Sequence, residues 1–173
     1  MNIVLIGMRG SGKTTVGSIL ARKLGRELVE MDELIAQMAG MSIPEIVVKH
    51  SWAKFRDIEA ELTPAISRRN NAIISAGGGV VTRENNIKEL KKSGVLVWLN
   101  ASVNSLLERI GQDPGRPPFV NGRSQRDDMA LTLAEREPLY QQAADFIVDT
   151  EHKTPEAVAE EIIGFLQEEA TDG

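Results

Sequence analysis

Gly7-Met8-Arg9-Gly10-Ser11-Gly12-Lys13-Thr14, set directly behind the apolar run Ile3-Val4-Leu5-Ile6, is the stretch from which the rest of this chain can be read. It fits the G-x-x-x-x-G-K-[ST] phosphate-loop pattern without a mismatch, and chance would produce that pattern in about one of two hundred chains of this length. The glycines let successive backbone N–H groups turn inward around a polyphosphate, Lys13 reaches the terminal phosphates, and the Thr14 hydroxyl suits Mg²⁺. Such a loop needs a strand before it and a helix after it. Val16, Ile19, Leu20 and Leu24 recur on one helical face from about Lys13, and Gly25 stops the helix, whose positive dipole end points at the same anion. A dinucleotide fingerprint is the main rival, because Asp32 lies twenty positions beyond Gly12. That reading fails at Thr15, a β-branched residue where close helix packing needs glycine.

The 173 residues predict a single domain over 1–173, able to bury about 70% of the surface its unfolded chain would expose. The absence of cysteine excludes disulfides, thiolate catalysis and Cys-type zinc sites, and suits a reducing cytoplasm. His50 and His152 do not pair at ligand spacing and read as solvated surface groups. A net charge of −5 speaks against nucleic acid as a partner. No run approaches the roughly 18 apolar residues of a membrane helix, and the amino terminus lacks the charged-then-apolar order of a signal peptide. The expectation is a soluble, unexported protein with no membrane partner, in which the acidic stretch 167–173 is a frayed tail.

Apolar, β-branched runs recur at Asn2–Ile6, about Glu27–Met31, Ala72–Ala76, Val95–Leu99 and Phe146–Asp149, with helix-period segments between them. This alternation predicts an α/β fold with a five-stranded parallel sheet sandwiched by helices. Parallel strands are buried on both faces, which explains the unbroken run Val95-Leu96-Val97-Trp98-Leu99 and makes Trp98 a core residue. Ser42, Pro44 and Glu45 stand in the order of a capping box, Thr82 is placed to cap a helix through about Lys92, and Thr154-Pro155-Glu156 opens the last helix. Ligands of open α/β sheets gather at the carboxyl ends of the strands, and Gly7, Asp32, Gly77 and Asn100 all fall there.

Taken one by one, the remaining polar features have ordinary readings. Arg56 and Arg136 lie on predicted helices beside acids, where a surface ion pair is the default, and a lone Asp32 also reads as a helix N-cap. Three consecutive glycines, Gly77-Gly78-Gly79, are harder to dismiss. They cost conformational entropy, a plain turn needs one of them, and close approach of a ligand to backbone is the better reason.

Asp32, Phe55-Arg56, Gly77-Gly78-Gly79, Gly115-Arg116-Pro117-Pro118 and Glu135-Arg136-Glu137-Pro138-Leu139-Tyr140, in this order behind the phosphate loop, resemble the shikimate kinase family over almost the whole chain. The resemblance implies a P-loop kinase fold with a mobile lid over about 112–124, and transfer of the γ-phosphoryl group of ATP, with Mg²⁺, to the 3-hydroxyl of shikimate. It implies that Arg56 and Arg136 hold the substrate carboxylate, that Gly77, Gly78 and Gly79 contact the ring, and that Asp32 accepts the proton of the attacking hydroxyl. Arg9, Gly10, Ser11, Gly12, Lys13, Thr14 and Thr15 would hold the phosphates. Thr14 would ligate the metal, Lys13 and Arg116 would neutralise the transferring group, and Arg109 would flank the adenine. A lid delivering Arg116 on closure suits chemistry in which water competes for the phosphoryl group. The partners implied are shikimate and ATP, and the protein is expected to act as a cytoplasmic monomer. The sequence departs from the family pattern at Glu30, where aspartate is usual, at Pro118, where an aliphatic residue is common, and at Glu151-His152-Lys153, where arginine is expected. The rivals are a kinase for another small hydroxylated acid such as gluconate, a nucleoside monophosphate kinase, and a regulator that uses ATP as a conformational switch.

Overall fold

The computed structural model describes residues 1–111, 117–118 and 121–172. Its strands are β1 (Asn2–Ile6), β2 (Leu28–Glu30), β3 (Ile73–Ser75), β4 (Gly94–Asn100) and β5 (Phe146–Asp149). They form one sheet in the order β2-β3-β1-β4-β5, with every pairing parallel. The helices are α1 (Lys13–Leu24), α2 (Met31–Ala39), α3 (Ile43–Lys49), α4 (Trp52–Ser67), α5 (Glu84–Lys91), α6 (Val103–Ile110), α7 (Gln125–Ala143) and α8 (Pro155–Asp172). The last of these runs past Gln167 into the acidic end of the chain. Among the described residues no helix is long and apolar enough to cross a membrane.

The two-residue period of the strands sends alternate side chains into two helical layers. Ile3, Leu5, Val97 and Leu99 pack with Val16, Ile19 and Leu20 of α1 and Val158 and Ile162 of α8. Val4, Ile6, Leu96 and Trp98 pack on the other face with Ile66 of α4, Leu90 of α5 and Tyr140 of α7. Truncating a fully buried member such as Leu20 or Ile73 to alanine removes about 2–5 kcal/mol. A smaller cluster joins α2, α3 and α4 through Ile35, Ile46 and Phe55, which makes the helical pair α2–α3 a separate shelf beside the carboxyl end of the sheet.

Local signals decide most of the helix ends. Ser42 and Glu45 form a capping box, each side chain bonding the other's backbone N–H at 3.3 Å, and the Thr154 hydroxyl accepts from Ala157 N at 3.1 Å. Two cap expectations are corrected. Thr82 closes a 3₁₀ turn over Val80–Thr82, donating its hydroxyl to Gly79 O at 2.6 Å, and α5 begins after Arg83 without a side-chain cap. Asp32 lies inside the first turn of α2, where Glu30 holds the N-cap position. A side chain already within the helix is free to face the cleft.

Candidate active site

The carboxyl ends of β1, β2 and β3 open into one cleft of about 720 Å³. At one end lies the loop 7–12. Gly10 (φ 84°) and Gly12 (φ 99°) take left-handed conformations that only glycine adopts without strain, and α1 starts immediately behind them. Lys13 Nζ donates to Gly7 O at 2.7 Å and to Met8 O at 2.9 Å, so its ammonium is held within the loop. Thr14 and Glu30 line the cleft beside it, and Glu30 Oε1 is buried with no hydrogen-bond partner. A hydroxyl and an unsatisfied carboxylate are hard oxygen donors of the kind Mg²⁺ takes.

The other end gathers Asp32 from α2, Arg56 from α4, the turn Gly77–Gly79 after β3, and Arg136 from α7. Arg136 is only 8% exposed, and its pKa falls below the ordinary value because of burial, with Tyr140 opposing and Arg56 adding repulsion. Arg56 Nη1 pairs with Glu59 Oε1 at 2.9 Å, and its guanidinium lies over the rings of Phe55 (4.9 Å) and Trp52 (5.6 Å). The Glu59 side chain is 0% exposed. Burial pushes its carboxyl pKa up, and the neighbouring Arg56 pulls it back. Glu59 Oε2 has no hydrogen-bond partner among the described residues. Guanidinium groups gathered in a dry wall repel one another, and an anion lying between them would relieve that cost.

The triple glycine has a concrete steric reason. A Cβ on Gly79 would lie 2.1 Å from Arg56 Cζ, one on Gly77 would lie 2.9 Å from Asp32 Oδ1 and from Glu59 Oε2, and one on Gly78 would lie 3.3 Å from Arg136 Nη1. The sequence reading invoked the approach of a ligand; the atoms that crowd this backbone belong to the charged side chains of the cleft.

At the far side of the phosphate loop, Arg109 of α6 donates to Thr150 Oγ1 at 3.1 Å, to Thr150 O at 3.3 Å and, at 3.5 Å, to Ser11 O. Thus Arg9, Gly10, Ser11, Gly12, Lys13, Thr14, Thr15, Asp32, Arg56, Gly77, Gly78, Gly79, Arg109 and Arg136 line the same cleft. Arg116 lies outside the described residues, as does most of the segment 112–124; Pro117 and Pro118 border the cleft, and Trp52 Nε1 donates to Pro118 O at 3.4 Å. His50 and His152 are exposed.

Two residues behind this wall, in contact with Arg56 and Gly78, had no role in the sequence reading. Glu59 shares the buried face of α4 with Phe55, Ile58, Thr63 and Ile66, and a carboxylate at the core spacing of Phe55 and Ile66 is a signal the sequence does carry. Tyr140 is 0% exposed, stacks on Trp98 and donates its hydroxyl to Gly78 O, fixing the turn from behind. No local pattern announces that contact across 62 residues.

A family model described as Shikimate kinase matches residues 9–167. A shikimate kinase of Thermodesulfovibrio yellowstonii is 46% identical over 162 residues, covering 94% of this chain and 92% of that protein. Among solved structures, the Acinetobacter baumannii shikimate kinase in complex with shikimate superposes with a TM-score of 0.92 at 32% identity, covering 97% of this chain and 93% of the other. The Aquifex aeolicus shikimate kinase gives a TM-score of 0.84 at 35% identity over the full length of both chains.

Proposed function

The chain belongs to the shikimate kinase family, and from that premise we propose how its own residues move the γ-phosphoryl group of ATP to the 3-hydroxyl of shikimate. The observation that carries the reading is the convergence of Asp32, Arg56 and Arg136 on the Gly77–Gly79 turn, in the same cleft as the phosphate loop. Shikimate is a small cyclic acid with three hydroxyls, so an anion clamp beside a carboxylate acceptor matches it in kind.

The phosphate chain of ATP lies along the backbone N–H groups of residues 9–15, at the positive end of α1. Lys13, already held inside the loop, neutralises the terminal phosphates together with Arg116. Thr14 and Glu30 are the residues that would hold Mg²⁺, which would supply positive charge to offset that of the phosphates. Arg56 and Arg136 clasp the shikimate carboxylate with planar paired donors. Glu59 keeps Arg56 aimed, since a guanidinium paired on one edge presents the other. Asp32 accepts the proton of the 3-hydroxyl as that oxygen attacks. The remaining contribution is positioning, because phosphoryl transfer needs little covalent help. The proposal includes one domain over 1–173, closure of the segment 112–124 over the cleft to exclude water, and a monomer working in the cytoplasm.

The test is ADP release with ATP and Mg²⁺, comparing shikimate with gluconate, a nucleoside monophosphate and no acceptor. Turnover that depends on shikimate is expected. Turnover with another acceptor would keep the kinase and overturn the roles of Arg56 and Arg136, and tight ATP binding without turnover would point to a switch.

A further inference from the structure

The turn that follows β5 is tied to α6 at both ends of that helix. At its start, Glu151 Oε1 accepts from Ser102 N at 2.7 Å and Glu151 Oε2 accepts from Ser105 Oγ at 2.8 Å. At its last turn, Arg109 donates to the carbonyl and hydroxyl of Thr150, the residue next to Glu151. Thr150 is itself pinned to the end of β4, its N and Oγ1 both donating to Asn100 O at 2.9 Å. Thr150, Lys153 and Pro155 from the turn and Arg109 and Ile110 from α6 together line the phosphate-loop end of the cleft. Besides its anchor on β4, this wall is tied to α6 by one carboxylate and one guanidinium.

Two further observations give the carboxylate its importance. His152, immediately after it, has φ 56°, a left-handed conformation that a non-glycine residue adopts only when its surroundings impose it. The Glu151 carboxylate also sits on the first free N–H of α6, at the positive end of that helix, where a negative charge is favoured. The Ser102 backbone bond, followed by the Ser105 hydroxyl, pulls the Glu151 pKa down to about 2, so the group is ionised throughout the working range.

We propose that Glu151 is a positioning residue for the nucleotide, latching the 149–153 turn to the start of α6 so that Arg109 and the turn present one preformed wall to the base end of ATP. The inference rests on the reading above that ATP occupies the phosphate-loop end. The latch acts through the turn and touches neither substrate, so its removal weakens ATP binding selectively.

The experiment compares the full-length protein with Glu151→Ala, Glu151→Gln and Ser105→Ala. It records the Kd of ATP by titration calorimetry without acceptor, KM for ATP and for shikimate, kcat, and Tm. Glu151→Ala is expected to raise the Kd and KM of ATP about five- to twentyfold while the shikimate KM and kcat stay within about twofold. Glu151→Gln keeps an acceptor for Ser102 N and an amide for Ser105 Oγ, and is expected to recover most of the loss. An unchanged ATP Kd in a folded Glu151→Ala protein overturns the proposal, as does an equal loss of affinity for ATP and shikimate. If Glu151→Ala does not fold, Ser105→Ala decides alone, with an ATP-selective rise of about twofold or more expected and no rise overturning. A wild-type protein that binds ATP yet leaves shikimate unchanged would sink the acceptor assignment, while the calorimetric arm would still judge the latch.

Discussion

Gly79→Ala is the sharpest probe of the acceptor end, because the three atoms nearest the added methyl all belong to the Arg56 guanidinium. Its carbon would lie 2.1 Å from Arg56 Cζ and Nη2, whereas ordinary contact starts at 3.4 Å, so the guanidinium must retreat by at least the difference, 1.3 Å. Gly79 has φ −96° and ψ 8°, which alanine adopts, so the backbone can stay in place and the effect falls on Arg56. That retreat breaks the 2.9 Å contact with Glu59 and lifts the guanidinium from the Phe55 ring. A charged hydrogen bond lost almost completely costs about 1.5–3 kcal/mol, which corresponds to roughly a ten- to hundredfold rise in the shikimate KM. The ATP KM should stay within about twofold, since the phosphate loop keeps its contacts. Steady-state ADP release with each substrate varied in turn measures both values, and a thermal melt confirms folding. In the double variant with Arg56→Ala, the glycine change should add nothing to Arg56→Ala alone, because its effect acts through the guanidinium already removed. A folded Gly79→Ala enzyme with a shikimate KM within twofold of wild type would refute the reasoning.

Asp32→Asn should lower kcat by about 10²–10⁴-fold while the ATP KM changes little, because only the acceptor hydroxyl loses its base; equal kcat in the variant removes Asp32 from that role. Asn2 is fully buried, its amide donating to Arg69 O at 2.7 Å and its carbonyl accepting from Ala72 N at 2.9 Å, which ties the start of β1 to the end of α4 and the entry of β3. Asn2→Ala strands both backbone groups, so about 2–4 kcal/mol of stability should be lost, read as a fall in Tm of about 5–15 °C. The Glu151 carboxyl has a folded pKa of about 2 against an ordinary 4.5, so it stabilises the fold fully above about pH 4.5 and loses that effect as pH falls through 2. The Tm gap between wild type and Glu151→Gln should therefore be constant above pH 5 and close on acidification; a gap that widens below pH 4 reverses the sign and defeats the argument.

The elements nearest the chemistry were legible because they obey local rules. The phosphate loop is a contiguous pattern whose backbone turns demand glycine at Gly10 and Gly12, and the strand before it shows its burial in its own composition. The capping box at Ser42 closes within four residues. Thr82 and Asp32 were misplaced because a hydroxyl or carboxylate near a helix start has several backbone N–H groups in reach, and tertiary packing chooses among them.

The alternation of strands and helices, the phosphate loop, the placing of Asp32 and Gly77 at strand ends and of Arg56 and Arg136 on helices could all be read from the sequence, because periodicity and loop chemistry act over a few neighbouring residues. It took the folded chain to reveal that Glu59 is the buried partner of Arg56, that the glycines make room for charged side chains, that Tyr140 braces Gly78, and that Glu151 and Arg109 clasp one turn to α6. Except for the Arg56–Glu59 pair, these contacts join residues 18 or more positions apart, and even that pair takes its meaning from burial. Which side chains meet across such separations is set by sheet order and by the face each helix turns inward, and neither is written in any short stretch of the chain.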